Sequence, residues 1–323
     1  MRMITRAVCG ILLASGLISA PAAQPFPGKT MRMVVPTPPA GSADILGRLL
    51  AENLQKRLGQ TVITENRGGA GQTIGAAYVA KADPDGHTLL LATVTYTTSA
   101  AIYTRLPYDP LTDLAGVAMV GVGPLLVTVH PSLPVTSVKQ LIALARSRPG
   151  ALNYGSAGAG TIPHLATELF AGSAKVDIVH VPYKGIAPAV TAGVAGEVPI
   201  LFASTPSAGP MVKAKRLRAL AVTTARRSSF MPELPSLAEA GVPGYDVSTW
   251  WAVLAPGKTP VAVVNRLNEE IRRILAAEEV KAIVVSNGAE PVLDLPADKF
   301  NAQLKNEIAT WRRIVKERRI ETQ

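Results

Sequence analysis

The chain has 323 residues, 48% of them apolar, and a formal charge of +10, a length that exceeds what one core usually serves and so predicts two lobes. Its one cysteine, Cys9, sits in the N-terminal segment, so a chain cleaved after that segment has no disulfide, thiolate metal site or cysteine nucleophile. The four histidines (His87, His130, His164 and His180) lack zinc-binding spacing, and an aromatic content of 5% argues against nucleic acid.

In chain order, residues 1–22 read as an export leader. Arg2 and Arg6 form a basic start, residues 8–18 an apolar core, and Ala20-Pro-Ala22 a small-x-small cleavage pattern, with cleavage near Ala22 or Ala23. The apolar run is short for a bilayer span, and Cys9 lies too early in it for lipidation. Residues 31–35 predict a strand that enters a Pro- and Gly-rich loop and then a helix over residues 45–58. Short buried strands follow at residues 62–64, 88–92, 125–129, 198–202 and 217–222, with amphipathic segments between them. One helical face carries Val138, Leu141, Ile142 and Ala145; another carries Val264, Leu267, Ile271 and Ile274. A last helix over residues 297–319 buries Phe300, Leu304, Ile308, Trp311 and Val315 and exposes Arg312, Arg313, Lys316, Arg318 and Arg319. This alternation predicts α/β lobes with largely parallel sheets. Extended segments near 120–129 and 246–255 suit strands passing between lobes, so that residues 23–124 and 249–323 form a discontinuous first lobe and residues 125–248 the second.

Three strand-to-helix loops are rich in glycine: residues 36–44, residues 67–73 and residues 155–161. A glycine loop that opens a helix offers unpaired backbone N–H groups at the positive end of the helix dipole, a seat for an anion. In the first, Pro36, Pro38 and Pro39 stiffen the entry, Gly41 permits close approach, and Ser42 and Asp44 stand where a helix cap is expected. Asp44 either caps the helix, orients the loop N–H groups, or receives an ammonium or bridging water. The second seat, Ser156, Gly158, Gly160 and Thr161, is followed by Pro163 and His164. It is no dinucleotide fingerprint, because Pro163 stands where glycine is needed, no Walker loop, and no nucleophile elbow, because Tyr154 precedes Ser156 at the required glycine. Residues 67–73 compete with these two on form alone. Val181-Pro-Tyr183-Lys184-Gly185 adds a phenol and an ammonium after a strand.

These motifs, taken in order, resemble the periplasmic solute-binding proteins of tripartite tricarboxylate transporters, the Bug receptors. The markers run from Val35-Pro and Ala-Gly-x-x-Asp44 through Glu65-Asn-Arg67, Pro84-Asp-Gly86, Leu106-Pro-Tyr-Asp-Pro110, Gly160-Thr161-x-x-His164 and His180-Val-Pro-Tyr-Lys-Gly185 to Leu254-Ala-Pro256. The resemblance covers the mature chain. It implies a two-lobe periplasmic binding protein (Venus flytrap) fold that closes on a small carboxylate and delivers it to a membrane permease. It implies a monomeric, non-enzymatic receptor with no cofactor or metal. Carried over residue by residue, it puts Thr37, Ala40, Gly41, Ser42 and Asp44 on one lip and Ser156, Gly158, Gly160, Thr161 and His164 on the other, with Tyr183 and Gly185 nearby. The loop at residues 67–73 becomes structural. Three positions depart from the family's habit: Ala203 where aspartate is frequent, Ser42 where a second glycine is frequent, and Tyr96 where histidine is common. Tyr96 and Ala203 are therefore counted with the pocket, and alanine at 203 weakens the case for an amino-acid ligand. A receptor that serves a signalling partner is the alternative within the family; an exported hydrolase using Ser156 is the alternative outside it.

Overall fold

The computed structural model describes residues 26–39, 41–229, 231–317 and 320. The expected leader, Ala40 and the basic residues Arg318 and Arg319 lie outside the described residues. The strands are β1 (Met31–Val35), β2 (Val62–Asn66), β3 (Thr88–Thr93), β4 (Leu114–Val129), β5 (Asn153–Ser156), β6 (Val179–Pro182), β7 (Ile200–Ser204), β8 (Arg218–Val222), β9 (Ser248–Pro256) and β10 (Glu290–Pro291). The helices are α1 (Ser42–Leu58), α2 (Thr73–Ala80), α3 (Thr95–Ile102), α4 (Val138–Ser147), α5 (Ile162–Ala174), α6 (Ile186–Ala195), α7 (Thr205–Lys213), α8 (Val261–Leu275), α9 (Glu278–Ser286) and α10 (Ala297–Glu317). Among the described residues no helix is long and apolar enough to cross a membrane.

The strand order is β2-β1-β3-β9-β4-β7-β5-β6, with β10 and β8 also paired to β4. At 16 residues, β4 is about 50 Å long and serves both lobes. Its residues 114–124 pair with β9, and its residues 125–129 pair with β7 and β8. In the first lobe β1, β2, β3 and β4 run one way, and β9 and β10 run against them. In the second, β5, β6, β7 and β8 run together, and β4 runs against them. The sheets are thus parallel in their outer strands and antiparallel wherever a crossing strand enters. A strand that leaves one lobe towards its carboxyl ends must enter the next against the grain, if both sets of carboxyl ends are to face the junction. Ligands of open α/β sheets sit outside those carboxyl ends.

Packing follows the same division. Alternation along β1 and β3 sends Met31, Met33, Val35, Leu89 and Leu91 to one face with α1 and α8, and Val34, Leu90 and Ala92 to the other. That second face continues through Trp250, Ile102 and Phe300 into Tyr154 and Phe170, so one apolar cluster passes through both lobes. The half-buried Glu307 of α10 ties this side together: its carboxylate accepts from Trp250 Nε1 of β9 (3.0 Å), from Trp311 Nε1 (3.2 Å) and from Thr97 Oγ1 of α3 (3.1 Å). Burial pushes its pKa up against those three donors.

At the crossing, Gly123 of β4 lies against the turn between α9 and β10. A Cβ there would stand 2.1 Å from the Gly288 carbonyl oxygen, and backbone cannot swing aside as a side chain can. Gly123→Ala is expected to cost about 2–3 kcal/mol, read as a lower urea midpoint with an unchanged slope. A wild-type midpoint would show that the close approach is not required.

Candidate ligand-binding site

The first loop leaves the fully buried end of β1 and enters α1 at Gly41, which holds extended angles (φ −84°, ψ 167°) and provides no side-chain cap. This corrects the expected capping: Ser42 is already helical and Asp44 lies within the first turn, so neither is the cap residue. The N–H groups of that first turn therefore have no intrahelical acceptor and no side-chain cap. Asp44 is 4% exposed, and its carboxylate accepts from Arg48 Nε (3.1 Å) and Asn66 Nδ2 (2.8 Å). The same Asn66 amide donates to the Thr37 carbonyl (3.1 Å), so Asp44 acts through Asn66 to hold the loop in place. Thr37 Oγ1 is buried without a hydrogen-bond partner. Ala40 lies outside the described residues.

In the second loop the polar side chains are spent on the loop itself. The fully buried Ser156 hydroxyl accepts the Gly158 N–H (3.0 Å) and lies 2.6 Å from His180 Nε2. Thr161 Oγ1 donates to the Gly158 carbonyl (2.7 Å), and the Gly160 N–H donates to His164 Nδ1 (3.1 Å). Gly158 (φ 122°) and Gly160 (φ 74°) take left-handed angles that a side chain would resist. Thr161, the cap residue of α5, leaves that helix start without a side-chain cap. A Cβ on Gly160 would come within 3.1 Å of Ile102 in α3, so here the second lobe touches the first. Ser156 and His180 have the spacing of a hydrolytic pair, but the hydroxyl is fully buried and accepts the Gly158 N–H of its own loop.

The remaining expected residues divide into two groups. The Tyr183 N–H donates to the Ser156 carbonyl (3.0 Å), and Gly185 (φ 117°) opens α6 without a side-chain cap, so both stand beside the second loop. Tyr96 and Ala203 do not direct their side chains there. The Tyr96 hydroxyl donates to the Pro110 carbonyl (2.6 Å), its ring stacks on Tyr108 at 6.2 Å, and burial holds its pKa well above the ordinary value. Ala203 is fully buried among Leu126, Ala189 and Ala208.

Two polar residues escaped the sequence reading. Thr205 opens α7 at the carboxyl end of β7, with Oγ1 buried and unpartnered. Its signal was available, since Ser204-Thr205-Pro206 repeats the hydroxyl-then-proline helix start of Thr161 and Pro163. Gln72 ends the loop at residues 67–73, where Ala70, Gly71 and Gln72 take φ of 43°, 58° and 71° in succession. Two of these are not glycine, which strains the backbone by about 1 kcal/mol each. An absent cap does not mark the cleft by itself, because α8 on the opposite edge also starts without one.

Beneath the second loop the rings of Tyr154, His180 and His164 stack, with centroids 5.0 and 4.0 Å apart and planes within 19°. Burial pushes both imidazoles from 6.5 down to about 4; in His180 the adjacent His164 adds to the shift and Glu168 opposes it. Each imidazole is more basic in the unfolded chain, so the stabilisation is complete above about pH 6.5 and is lost as pH falls towards 4. For His164, 7% exposed, this amounts to about 3 kcal/mol; the more exposed His180 contributes less. The urea midpoint is expected to fall between pH 7 and about pH 4.5, with a shallower fall in His164→Gln. Equal falls in both proteins would remove His164 as the titrating group.

Comparison with known proteins identifies the family and the fold. The model of the tripartite tricarboxylate transporter family receptor, TctC, matches residues 46–320. Protein BugT of Bordetella pertussis is 37% identical over 314 residues, covering 96% of this chain and 96% of that protein. The structure of R. palustris Rpa4515 with adipate superposes with a TM-score of 0.83 at 37% identity, over 92% of this chain and 100% of that one. MatC (Rpa3494) from Rhodopseudomonas palustris with bound malate gives 0.79 at 30% identity, over 90% and 100%. The two-lobe architecture is that of the periplasmic binding proteins, and the chain belongs to the tripartite tricarboxylate transporter receptor family.

Proposed function

We propose that this protein is a periplasmic receptor, without enzymatic activity, that closes its lobes on a small dicarboxylate and delivers it to integral-membrane transporter subunits. The observation that carries this reading is the pair of helix starts at Gly41 and Thr161, each without a side-chain cap and each at carboxyl ends that face the junction. Backbone N–H groups there bind a carboxylate through hydrogen bonds and the helix dipole. Relatives with 37% and 30% identity hold adipate and malate. The one acidic residue of the first loop, Asp44, is already engaged by Arg48 and Asn66 and so is not offered to an ammonium group. Plain acids therefore suit it better than amino acids.

On this reading residues 23–124 and 249–323 form one lobe, residues 125–248 form the other, and the chain works as a monomer after its leader is removed. The hinge lies where β4 changes partners, between Pro124 and Leu125, beside the paired start of β9 at Ser248. Closure about such crossing strands is hinge motion of pre-formed lobes, which is how the general repertoire of domain closure describes periplasmic binding proteins. The positive surface charge favours encounter with anions.

The test uses Gly41, where a Cβ meets nothing within 4 Å. Gly41→Asp places a carboxylate at the cap position, where it takes up the N–H groups that the ligand needs and repels the ligand's own charge. Folding stability is expected to stay at or above wild type, while calorimetric affinity for diacids falls by at least about a hundredfold. Unchanged affinity would show that the first loop is not the carboxylate seat.

A further inference from the structure

Away from the crossing strands, the lobes touch where α3, which follows β3 of the first sheet, meets the loop that opens α5 of the second. Ile102, the last residue of α3, is 1% exposed, and Gly160 of that loop is buried against it. A Cβ on Gly160 would stand 3.1 Å from Ile102 Cγ1 and Cγ2 and 3.2 Å from its Cβ, so the branched side chain covers the glycine. Ile162, the first residue of α5, is also buried and continues the same apolar cluster.

Each side of this contact is held by its own lobe. Thr97 Oγ1 donates to Glu307, Arg312 Nε donates to the Ala100 carbonyl (3.3 Å) and Ser99 Oγ donates to the Gly71 carbonyl (2.7 Å), which ties α3 to α10 and to the loop at residues 67–73. Opposite, the Gly160 N–H donates to His164 Nδ1 (3.1 Å), and Thr161 Oγ1 draws the loop onto the Gly158 carbonyl (2.7 Å). Among the described residues no hydrogen bond joins α3 to this loop. Two surfaces fixed in different lobes and joined by packing alone part when the lobes part. Their separation leaves no buried donor or acceptor unpaired, so the contact is made and broken without the cost a lost buried hydrogen bond would impose.

We infer that Ile102 is a closure residue: its side chain seats on Gly160 in the shut receptor and leaves it in the open one, so it sets ligand affinity without touching the ligand. This rests on the receptor reading above. Burial of the isoleucine favours the shut form, and the apparent affinity of any ligand that needs that form rises with its population. The factor is therefore the same for acids of different length, whereas a residue that touches the ligand discriminates among them.

A disulfide can report the contact, because Cys9 lies in the expected leader and a chain without that leader has no cysteine of its own. In the double variant Ile102→Cys with Gly160→Cys the two Cβ atoms would lie 3.2 Å apart. A disulfide takes a separation of about 3.5–4.5 Å, which a small lobe adjustment supplies. The probes are succinate, glutarate and adipate. Oxidised glutathione is expected to form the disulfide at least about tenfold faster with a saturating diacid than without one, and the oxidised protein to retain the acid through dialysis until it is reduced. Equal rates in both conditions, no disulfide in either, or an oxidised protein that releases the acid as freely as the reduced one overturns the closure role and leaves the receptor reading intact. If the reduced double variant binds none of the acids, Ile102→Val decides. Calorimetry is then expected to show affinity lowered by about threefold to tenfold, by one factor for every acid, with a single cooperative urea transition as the check on folding. Unchanged affinity makes Ile102 a core residue of its own lobe, and a loss that differs between acids makes it a ligand contact; either overturns the inference. A wild type that binds none of the probes overturns the receptor reading, and this inference with it.

Discussion

The architecture depends on one strand that belongs to both lobes. Because β4 continues from the first sheet into the second, its direction is fixed in each, and the carboxyl ends of both sheets are made to face one another. Loops that follow β1, β2, β5, β6 and β7 then converge on one junction although they are spread over more than a hundred residues. The return strand β9 pairs over its whole length with the first-lobe part of β4, so the outgoing and returning strands form one antiparallel ribbon there. Glu307 of α10 fastens this ribbon to α3 through Trp250 and Thr97.

A second constraint concerns how a neutral surface can hold an anion. Backbone N–H groups serve that purpose only if the side chains around them neither cap them nor collapse the loop. The chain meets both requirements by directing its polar side chains inward. Asp44 and Asn66 hold the first loop from behind, and Ser156, Thr161, His164 and His180 hold the second from within. His164 serves in this way only as a neutral ring, because Nδ1 must accept the Gly160 N–H. Enclosure in the stack with Tyr154 and His180 keeps it neutral near pH 7. In the receptor proposed above, Asp44, Ser156, Thr161 and His164 hold the loops that would meet the ligand.

Much of this organisation was legible in the chain. Alternation of short apolar runs with amphipathic segments gave the α/β class, and glycines before helix starts gave three candidate loops, because both signals are local; the family resemblance selected two of them. Helix α3 was not legible: Thr95, Thr97 and Thr98 are poor helix formers, and only burial together with hydroxyls bonded back to Val94 and Thr95 makes the segment helical. Tyr96 was counted with the pocket because histidine is common there in the family; its ring stacks on Tyr108 and its hydroxyl donates to the Pro110 carbonyl.

The sequence by itself determined which stretches could seat an anion, that the chain was to be read as two lobes, and that cysteine and metal chemistry had no support. Each follows from residue type and near-neighbour spacing. Tertiary structure alone decided which polar groups remain unsatisfied once the chain is folded. Asp44 finds Asn66 across 22 residues, Ser156 finds His180 across 24, and Thr97 finds Glu307 across 210. Thr37, Gln72 and Thr205 are left with buried oxygens and no partner. A hydrogen bond is settled by distance and direction in space, and no local pattern records which side chain the folded sheet will bring within reach.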